Sequence, residues 1–202
     1  MKHVAHLPGV LSADELQATG EHLVALQLDS GMIPWFPGGH CDPWNHVESA
    51  MALDVAGFHR QAERAYDWLV DTQRPDGSWH AYYHSDGSIE DAKLDTNVCA
   101  YIATGATHHL RLTWDRRFAE NIWPTVERAL EFVLGHRRDD GLPLWAVEPD
   151  AHPWNYALVT GTSSIQHALR CGARLGERVG QERPGWIEAA EVMADAVRDR
   201  PD

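Results

Sequence analysis

The sequence QRPDGSW, residues 73–79, forms a turn that ends one amphipathic segment and precedes the next. Asp76-Gly77 supplies the positive-φ residue that a tight turn needs, and Trp79 follows two positions later. Two other segments repeat this plan, LQLDSGMIPW at residues 26–35 and RRDDGLPLW at residues 137–145. The glycines are unequally spaced, so we interpret the three segments as a divergent repeat with insertions.

Between these turns, apolar residues recur with the 3.6-residue period of an α-helix. Ser12 with Glu15 forms a capping box, and Asp42-Pro43, Asp95 and Asp115 have the N-cap pattern of later helices. Further helices are predicted at residues 59–73, about 160–175 and about 184–198. We find no convincing strand pair, so the predicted fold class is all-α.

The predicted helices alternate in character along the chain. One helix of each pair is small and rich in Ala and Gly, and the other is longer with a charged face. This alternation predicts two concentric rings of helical hairpins, an (α/α)6-type toroid with the small helices inside. About seven helices make roughly three and a half hairpins, fewer than a closed ring of about six requires. We therefore predict that residues 1–202 are a single α/α-toroid domain that lacks the C-terminal hairpins of the full ring.

The charge and cysteine content of the chain restrict its partners and its location. A formal net charge of −13 over 202 residues would repel nucleic acid and anionic membrane surfaces. No apolar run reaches the roughly 18 residues that span a bilayer. The cysteines Cys41, Cys99 and Cys171 are odd in number and far apart, which favours reduced thiols in the cytoplasm. Whether the protein forms a homo-oligomer stays open on the sequence alone.

The 13 histidines are the residues that could indicate a metal site. His40, His46 and the pair His108-His109 are the candidates, but no CxxC or HExxH spacing occurs. Motifs for nucleotide binding and for a serine nucleophile are also missing. We therefore predict neither a metal nor a cofactor.

Tryptophan is unusually frequent, with nine residues. Trp68, Trp114 and Trp123 lie in helical segments, and we predict that they fill the core. The other tryptophans follow Gly and Pro in turns, where burial is harder to arrange. Flat aromatic rings of this kind can form platforms for the apolar faces of sugar rings.

Residues 34–48, PWFPGGHCDPWNHVE, contain the densest group of polar and aromatic residues. They lead into an inner helix, whose N-terminus is expected at the mouth of the central cavity. Asp42 and Glu48 are predicted catalytic carboxylates, although an N-cap role alone would also explain Asp42. The predicted substrate-binding residues of this group are Trp35, His40, Trp44 and Asn45.

Two further groups of polar and aromatic residues precede later inner helices. Asp95 occupies the position of Asp42 in the next repeat and is the third predicted catalytic carboxylate. At most one of these two aspartates is expected to be the proton donor. The predicted substrate-binding residues of the two groups are Trp79, Asn97, Trp154 and Tyr156. Glycoside cleavage needs two carboxylates, and acids beside Trp platforms meet that requirement in composition.

Two resemblances to known families follow from these motifs. The QRPDGSW turn resembles the QxxDGSW repeat of squalene-hopene cyclases and protein prenyltransferase β subunits, which are α/α toroids. The DxDD acid motif of the cyclases is missing, and the zinc ligands of the transferases are not matched. This resemblance implies the toroid fold, and isoprenoid chemistry stays an alternative.

The runs at residues 33–53, 95–103 and 160–165 resemble an actinobacterial prenyltransferase-like family that includes methylmannose polysaccharide hydrolases. That resemblance implies an α/α toroid and endo-acting hydrolysis of an α-mannoside polysaccharide in the cytoplasm, with Asp42 as the principal acid. It also implies a longer protein, so that a second catalytic carboxylate can lie outside these 202 residues. The alternatives are an isoprenoid cyclase or transferase and a non-catalytic carbohydrate-binding module.

Overall fold

The computed structural model describes residues 7–148, 150 and 152–199. Its helices are α1 (Ala13–Leu26), α2 (Pro43–Val55), α3 (His59–Thr72), α4 (Thr96–Ala100), α5 (Ile102–Thr113), α6 (Arg116–Gly135), α7 (Val159–Val179) and α8 (Pro184–Asp199). Only Tyr101 separates α4 from α5, so these two segments form one interrupted helix. The seven helices predicted from periodicity are therefore confirmed.

Helix starts follow the predicted caps. The Ser12 hydroxyl accepts a hydrogen bond from the Glu15 N–H, and the Glu15 carboxylate accepts one from the Ser12 N–H, at 3.2 and 2.8 Å. Asp42, Asp95 and Asp115 each accept hydrogen bonds from the first turn of α2, α4 and α6. Each cap of this kind typically stabilises a helix by about 1 kcal/mol.

Helices α2, α4–α5 and α7 form the inner layer and run parallel in register. The Tyr101 hydroxyl meets Glu48, and the Thr107 hydroxyl donates to the Cys171 carbonyl oxygen at 3.0 Å. The outer helices α1, α3, α6 and α8 alternate with them along the chain and return antiparallel. The predicted arc of helical hairpins, with small helices inside, is confirmed.

Small residues let the two layers approach closely. A Cβ on Gly105 of α5 would lie 2.4 Å from the Val47 side chain and 2.7 Å from the Tyr66 hydroxyl. A Cβ on Gly172 of α7 would lie 2.3 Å from Leu130 of α6. The Ala- and Gly-rich composition of the inner helices is therefore a packing requirement.

The three repeat turns have the same backbone. The N–H groups of Gly31, Gly77 and Gly141 each donate to the carbonyl oxygen three residues earlier at 2.9 Å, and their φ angles are +94°, +92° and +82°. In the first two turns, the glycine also lies against a carbonyl oxygen of the next outer helix. A Cβ on Gly31 would approach the Arg64 oxygen to 2.1 Å, and one on Gly77 would approach the Arg128 oxygen to 2.2 Å.

A glutamine at the end of each of the first two outer helices fixes these turns. The Gln27 amide donates to the carbonyl oxygens of Gly31 and Gln61, and the Gln73 amide donates to those of Gly77 and Thr125, at 2.9 to 3.0 Å. We call each set a glutamine clamp. Each clamp joins one outer helix and its turn to the next outer helix.

Short strands cross the face where the repeat loops lie, and the expectation that no strands pair is wrong. Strands β1 (Tyr82–Tyr83) and β2 (Ile89–Asp91) form an antiparallel pair, as do β3 (Leu94–Asp95) and β4 (Ala146–Val147). Segments of two or three residues are too short to show a two-residue period. The second pair also joins segments about fifty residues apart, which local patterns do not reveal.

Two of the three tryptophans predicted for the core are buried, and the third is exposed. Trp68 and Trp123 are buried at 4% and 6% exposure, as predicted, whereas Trp114 is 74% exposed and that prediction is wrong. Trp114 caps the C-terminus of α5 in the left-handed region, with φ of +57°, which turns its side chain out of the helical stripe.

Within residues 7–148, 150 and 152–199, no helix combines the length and apolarity needed to cross a membrane. Cys41, Cys99 and Cys171 are all buried free thiols.

Candidate active site

The N-termini of the three inner helices lie at one end of the arc, covered by the loops that leave the outer helices. Cys41 and Tyr83 exchange backbone hydrogen bonds of 2.9 and 2.8 Å, and Asp95 pairs with Ala146. A Cβ on Gly161 of α7 would lie 3.8 Å from Asn97 of α4. These contacts bring the three predicted groups of site residues to the same face.

Asp42 is the most firmly held carboxylate of this face. Its Oδ2 accepts hydrogen bonds from Trp35 Nε1 at 2.7 Å and Asn45 Nδ2 at 2.8 Å, and its Oδ1 accepts the Asn45 N–H at 2.9 Å. The side chain is only 4% exposed. An N-cap needs only the backbone bond, so the two side-chain donors on Oδ2 go beyond capping. All three donors fit an ionised carboxylate, which only accepts hydrogen bonds.

Aromatic and acidic side chains surround this carboxylate. His40 lies edge-on to Trp35 at 4.7 Å between ring centroids and tilted to Tyr82 at 5.0 Å. His40 Nδ1 lies 2.9 Å from Glu90 Oε2 in β2. Trp35 remains 49% exposed, so part of its ring is available to a ligand.

Asp95 has the same cap position but a different environment. Its Oδ1 accepts the N–H groups of Asn97 and Val98 at 2.9 and 3.1 Å. Burial raises the pKa of Asp95 above its ordinary value, even though these bonds, the Lys93 charge and a hydrogen bond with Trp145 act to lower it. A carboxyl group that retains its proton to higher pH suits proton donation.

Tyr82 lies within electrostatic range of several acids on this face. Its pKa is raised first by burial and then by the negative charges of Asp42, Asp91, Glu90 and Asp95. A single phenol feels both candidate catalytic aspartates, so both lie near the same part of the face. Neither Tyr82 nor Glu90 is among the predicted site residues.

The Glu48 carboxylate is hydrogen-bonded to the neighbouring inner helix. Tyr101 donates a hydrogen bond to Glu48 Oε1 and stacks on Trp44, with 4.8 Å between ring centroids. Glu48 follows Asp42 by six residues, and Tyr101 follows Asp95 by six. The two residues therefore occupy equivalent positions in successive repeats. Aligning the repeats on their aspartates would have identified Tyr101, which was not predicted as a site residue.

Two predicted ligand contacts have polar atoms without a partner among the described residues. Trp44 Nε1 and Asn97 Oδ1 are buried and make no hydrogen bond there. A buried polar atom without a partner typically destabilises the fold by about 1–3 kcal/mol. Both atoms belong to the inner-helix starts, where a substrate hydroxyl could satisfy them.

The third group forms an aromatic surface beside Asp95. Tyr156 stacks on Trp145 at 5.5 Å, and Trp154 meets Trp145 edge-on at 5.3 Å. Trp154 Nε1 donates to Glu148 Oε1 at 2.9 Å, which fixes its ring. Trp154 and Tyr156 are 40% and 41% exposed, and Trp145 links them to Asp95.

Trp79 does not fit its predicted role as a wall of the substrate site. It is 1% exposed, and its Nε1 donates to the Leu69 carbonyl oxygen at 2.9 Å inside the core. Trp79 stands two residues after its turn glycine, the position of buried Ile33 in the first repeat. Trp35 and Trp145 stand four residues after their glycines. The number of residues between the turn glycine and the tryptophan thus distinguishes the buried tryptophan from the two at the site.

In the part of the chain that the structure describes, no three His, Cys, Asp or Glu side chains group in a way that could hold a metal ion. The absence of a metal from the reaction remains a prediction.

Comparison with known proteins adds a relative that spans nearly the whole chain. The chain is 44% identical over 199 residues, 98% of its length, to the MMP endo-(1,4)-3-O-methyl-alpha-D-mannosidase of Mycolicibacterium hassiacum. The resemblance to methylmannose polysaccharide hydrolases is confirmed. A scan against protein-family models gave no match. The chain spans 55% of the length of this mannosidase.

Two further comparisons concern the fold and the isoprenoid alternative. An unsaturated glucuronyl hydrolase from Bacillus sp. GL1 superposes with a TM-score of 0.67 at 19% identity, over 93% of this chain and 56% of that one. This similarity supports the α/α-toroid fold. A copalyl diphosphate synthase of Streptomyces anulatus is 28% identical over 147 residues, covering 68% of this chain and 24% of that enzyme. The second similarity is weaker and shorter than that to the mannosidase.

Proposed function

We propose that this chain carries a glycoside hydrolase site that cleaves α-mannoside linkages within a methylated mannose polysaccharide. The observation that carries the proposal is the contrast between Asp42 and Asp95. Three donors hold Asp42 as a hydrogen-bond acceptor, whereas burial favours the protonated form of Asp95. Acid–base cleavage of a glycoside needs one carboxyl group that donates a proton and one that accepts hydrogen bonds as an anion. The 44% identical mannosidase supports the choice of substrate.

In the proposed reaction, Asp95 donates its proton to the leaving glycosidic oxygen. Asp42 is the anionic partner, which either accepts a proton from water or stabilises the positive charge that develops on the sugar ring. This assignment gives the proton to Asp95, whereas the family resemblance favoured Asp42 as the principal acid. Glu48 is then a positioning residue, because its carboxylate is bound by Tyr101.

The aromatic surfaces on either side support cleavage within a chain. Trp35 and Phe36 are 49% and 56% exposed beside Asp42, and Trp154 and Tyr156 are exposed on the Asp95 side. A polysaccharide could therefore contact aromatic rings on both sides of the acids. Such an arrangement suits an endo-acting enzyme, as proposed.

We also propose the domain organisation, the location and the partner that the sequence predicts. Residues 1–202 act as one toroid domain, and a longer protein would supply further hairpins. The three buried free thiols fit the reducing cytoplasm. The partner is an oligosaccharide or polysaccharide.

The test is incubation of the chain with 3-O-methylated α-(1,4)-mannan, unmethylated α-mannan and α-glucan, with product sizes measured by mass spectrometry. We expect internal cleavage of the methylated mannan and little or no cleavage of the glucan. Saturable binding of the mannan without any product would contradict hydrolysis by this chain and would favour the carbohydrate-binding alternative.

Asp95→Asn should separate the activity of this group from its contribution to stability. A half-buried carboxyl group with a raised pKa, such as that of Asp95, binds its proton more tightly in the folded protein than in the unfolded chain. Its ionisation, as pH rises through that pKa, therefore lowers stability. We expect Asp95→Asn to reduce hydrolysis by at least about 100-fold. At about pH 8, its Tm should equal or exceed that of the wild type, because Asn caps helices as well as Asp.

Melting curves between about pH 4 and pH 8, together with the rate of product release, provide the measurement. The wild type should gain stability relative to Asp95→Asn as the pH falls. A variant that loses more stability at high pH than at low pH would show that Asp95 is held ionised, and the donor assignment would be wrong.

A further inference from the structure

A cavity of about 660 Å³ opens at the opposite end of the inner helices from the acidic site. It lies between the C-terminal parts of α5 and α7, and its lining includes Arg111, Trp114, Arg174, Glu177 and Arg178. Three arginines and one acid leave a net positive charge here, in a chain whose formal charge is −13.

The three arginines have no carboxylate partner among the described residues. The side chains of Arg111, Arg174 and Arg178 make no hydrogen bond or ion pair there, whereas Arg74, Arg116 and Arg183 pair with acids. Arg111 and Arg174 also lie near each other, because both charges act on the buried thiol of Cys171. Three guanidinium groups that line one cavity with a single acid, Glu177, suit an anionic ligand.

Trp114 provides a second and independent observation at the same cavity. Among the described residues it is the only one other than glycine with a positive φ, and it is 74% exposed. A bulky residue in this backbone region is strained, and an exposed ring gains little from packing in return. Glycine would satisfy the helix end better. The ring at the cavity rim therefore points to a contact with a ligand.

Helix-end electrostatics explain part of this arrangement but not all of it. Arg111 and Arg178 lie in the last turns of α5 and α7, where a positive charge favours the helix dipole. That effect requires neither Arg174, which lies more than a turn before the end of α7, nor a strained tryptophan.

We propose that this cavity binds a small phosphate monoester. The dianionic phosphate lies among Arg111, Arg174 and Arg178, and the organic part packs against the ring of Trp114. Phosphate matches several guanidinium groups at once, and a dianion gains more from three positive charges than a singly charged group does. The site is separate from the proposed hydrolase site, so neither depends on the other.

Isothermal titration calorimetry at low salt can test the proposal with phenyl phosphate, inorganic phosphate and phenyl sulfate as probes. We expect saturable binding of phenyl phosphate with a Kd of about 1 mM or tighter. Phenyl sulfate, with one charge, should bind more weakly, and inorganic phosphate should lack the contribution of the ring. Absence of phenyl phosphate binding, or equal affinity for the sulfate, would overturn the proposal.

Variants distinguish a defined binding site from nonspecific attraction of phosphate to any exposed arginine. The double variant Arg174→Gln/Arg178→Gln should weaken phenyl phosphate binding by about tenfold or more, because charge-assisted hydrogen bonds are lost. Arg60→Gln is the matched control, since Arg60 is exposed and also unpaired among the described residues, and its affinity should change by less than about twofold. Equal effects of the two changes would contradict a defined pocket.

Trp114→Gly tests the role of the ring through its effect on Tm. A purely structural role predicts a fall in Tm, whereas a role in ligand binding predicts a rise. Its Tm should rise, because glycine relieves the positive φ, while phenyl phosphate binding weakens and inorganic phosphate binding stays the same. A fall in Tm would show that Trp114 stabilises the fold, and unchanged phenyl phosphate binding would exclude it from the site.

Discussion

Asp42→Asn should lower hydrolysis by about 10²- to 10⁴-fold, the range expected when a group that handles the proton or the developing charge is lost. The same change removes the negative charge to which Trp35 and Asn45 donate hydrogen bonds, and it turns one acceptor atom into a donor. Because Asn still accepts the backbone bond of the cap, the Tm should fall by only a few degrees. Initial rates of product release and thermal melting of the same samples provide the two measurements.

Asp115→Asn is the matched control for that variant. Asp115 caps the outer helix α6 by accepting the Phe118 N–H at 3.1 Å, so it shares the capping role of Asp42 away from the acidic face. Its hydrolysis should stay within about twofold of the wild type, and its Tm should change by no more than a few degrees, because Asn caps a helix as well as Asp does. If Asp42→Asn kept wild-type activity, Asp42 would be a cap and nothing more.

Gly77→Ala should be among the most destabilising single changes in the described chain. The new Cβ would lie 2.2 Å from the Arg128 carbonyl oxygen, and the residue would also keep a φ of +92°. Backbone must move in α6 or in the turn, and the glutamine clamp at Gln73 depends on both. We expect a loss of about 3 kcal/mol or more in the free energy of unfolding, which lowers the Tm by roughly 6–12 °C.

Gly87→Ala isolates the backbone contribution to that loss. Gly87 has a φ of +84° in the turn between β1 and β2, and no atom lies within 4 Å of the site of its Cβ. This change should destabilise by only about 1 kcal/mol, the usual penalty for a side chain in the left-handed region. Gly31→Ala should behave like Gly77→Ala, since its Cβ would meet the Arg64 oxygen. Equal losses at positions 77 and 87 would mean that the close contact in the repeat turn is unimportant.

The sequence predicts the helices well because their signals are local. The cap at Ser12 and the Asp-Gly turn at residues 76–77 need only neighbouring residues, and both have their expected geometry. The pairing of β3 with β4 needs two distant segments, and its strands are two residues long. A pairing of that kind leaves no periodic trace.

The site was predicted less completely, since tryptophan composition does not reveal burial. The sequence predicts a platform at Trp79, yet Trp79 occupies the core position that Ile33 occupies in the first repeat. Tyr101 is absent from the predicted site residues, although it is the counterpart of Glu48 in the next repeat and donates a hydrogen bond to it. In both cases, the distance from the turn glycine or the cap aspartate carried the information, and residue type alone did not.

The two glutamine clamps also predict which helices open most readily, and these openings can be measured by exchange of backbone amide protons with solvent. Gln27 fastens α1 to α3 and Gln73 fastens α3 to α6, but Arg137 stands where a third glutamine would reach toward α8. Amide protons of α3 and α6 should therefore exchange only in the rarest openings, whereas those of α8 should exchange in smaller and more frequent ones. The repeat thus predicts a gradient of local stability along a fold whose hairpins otherwise have the same plan.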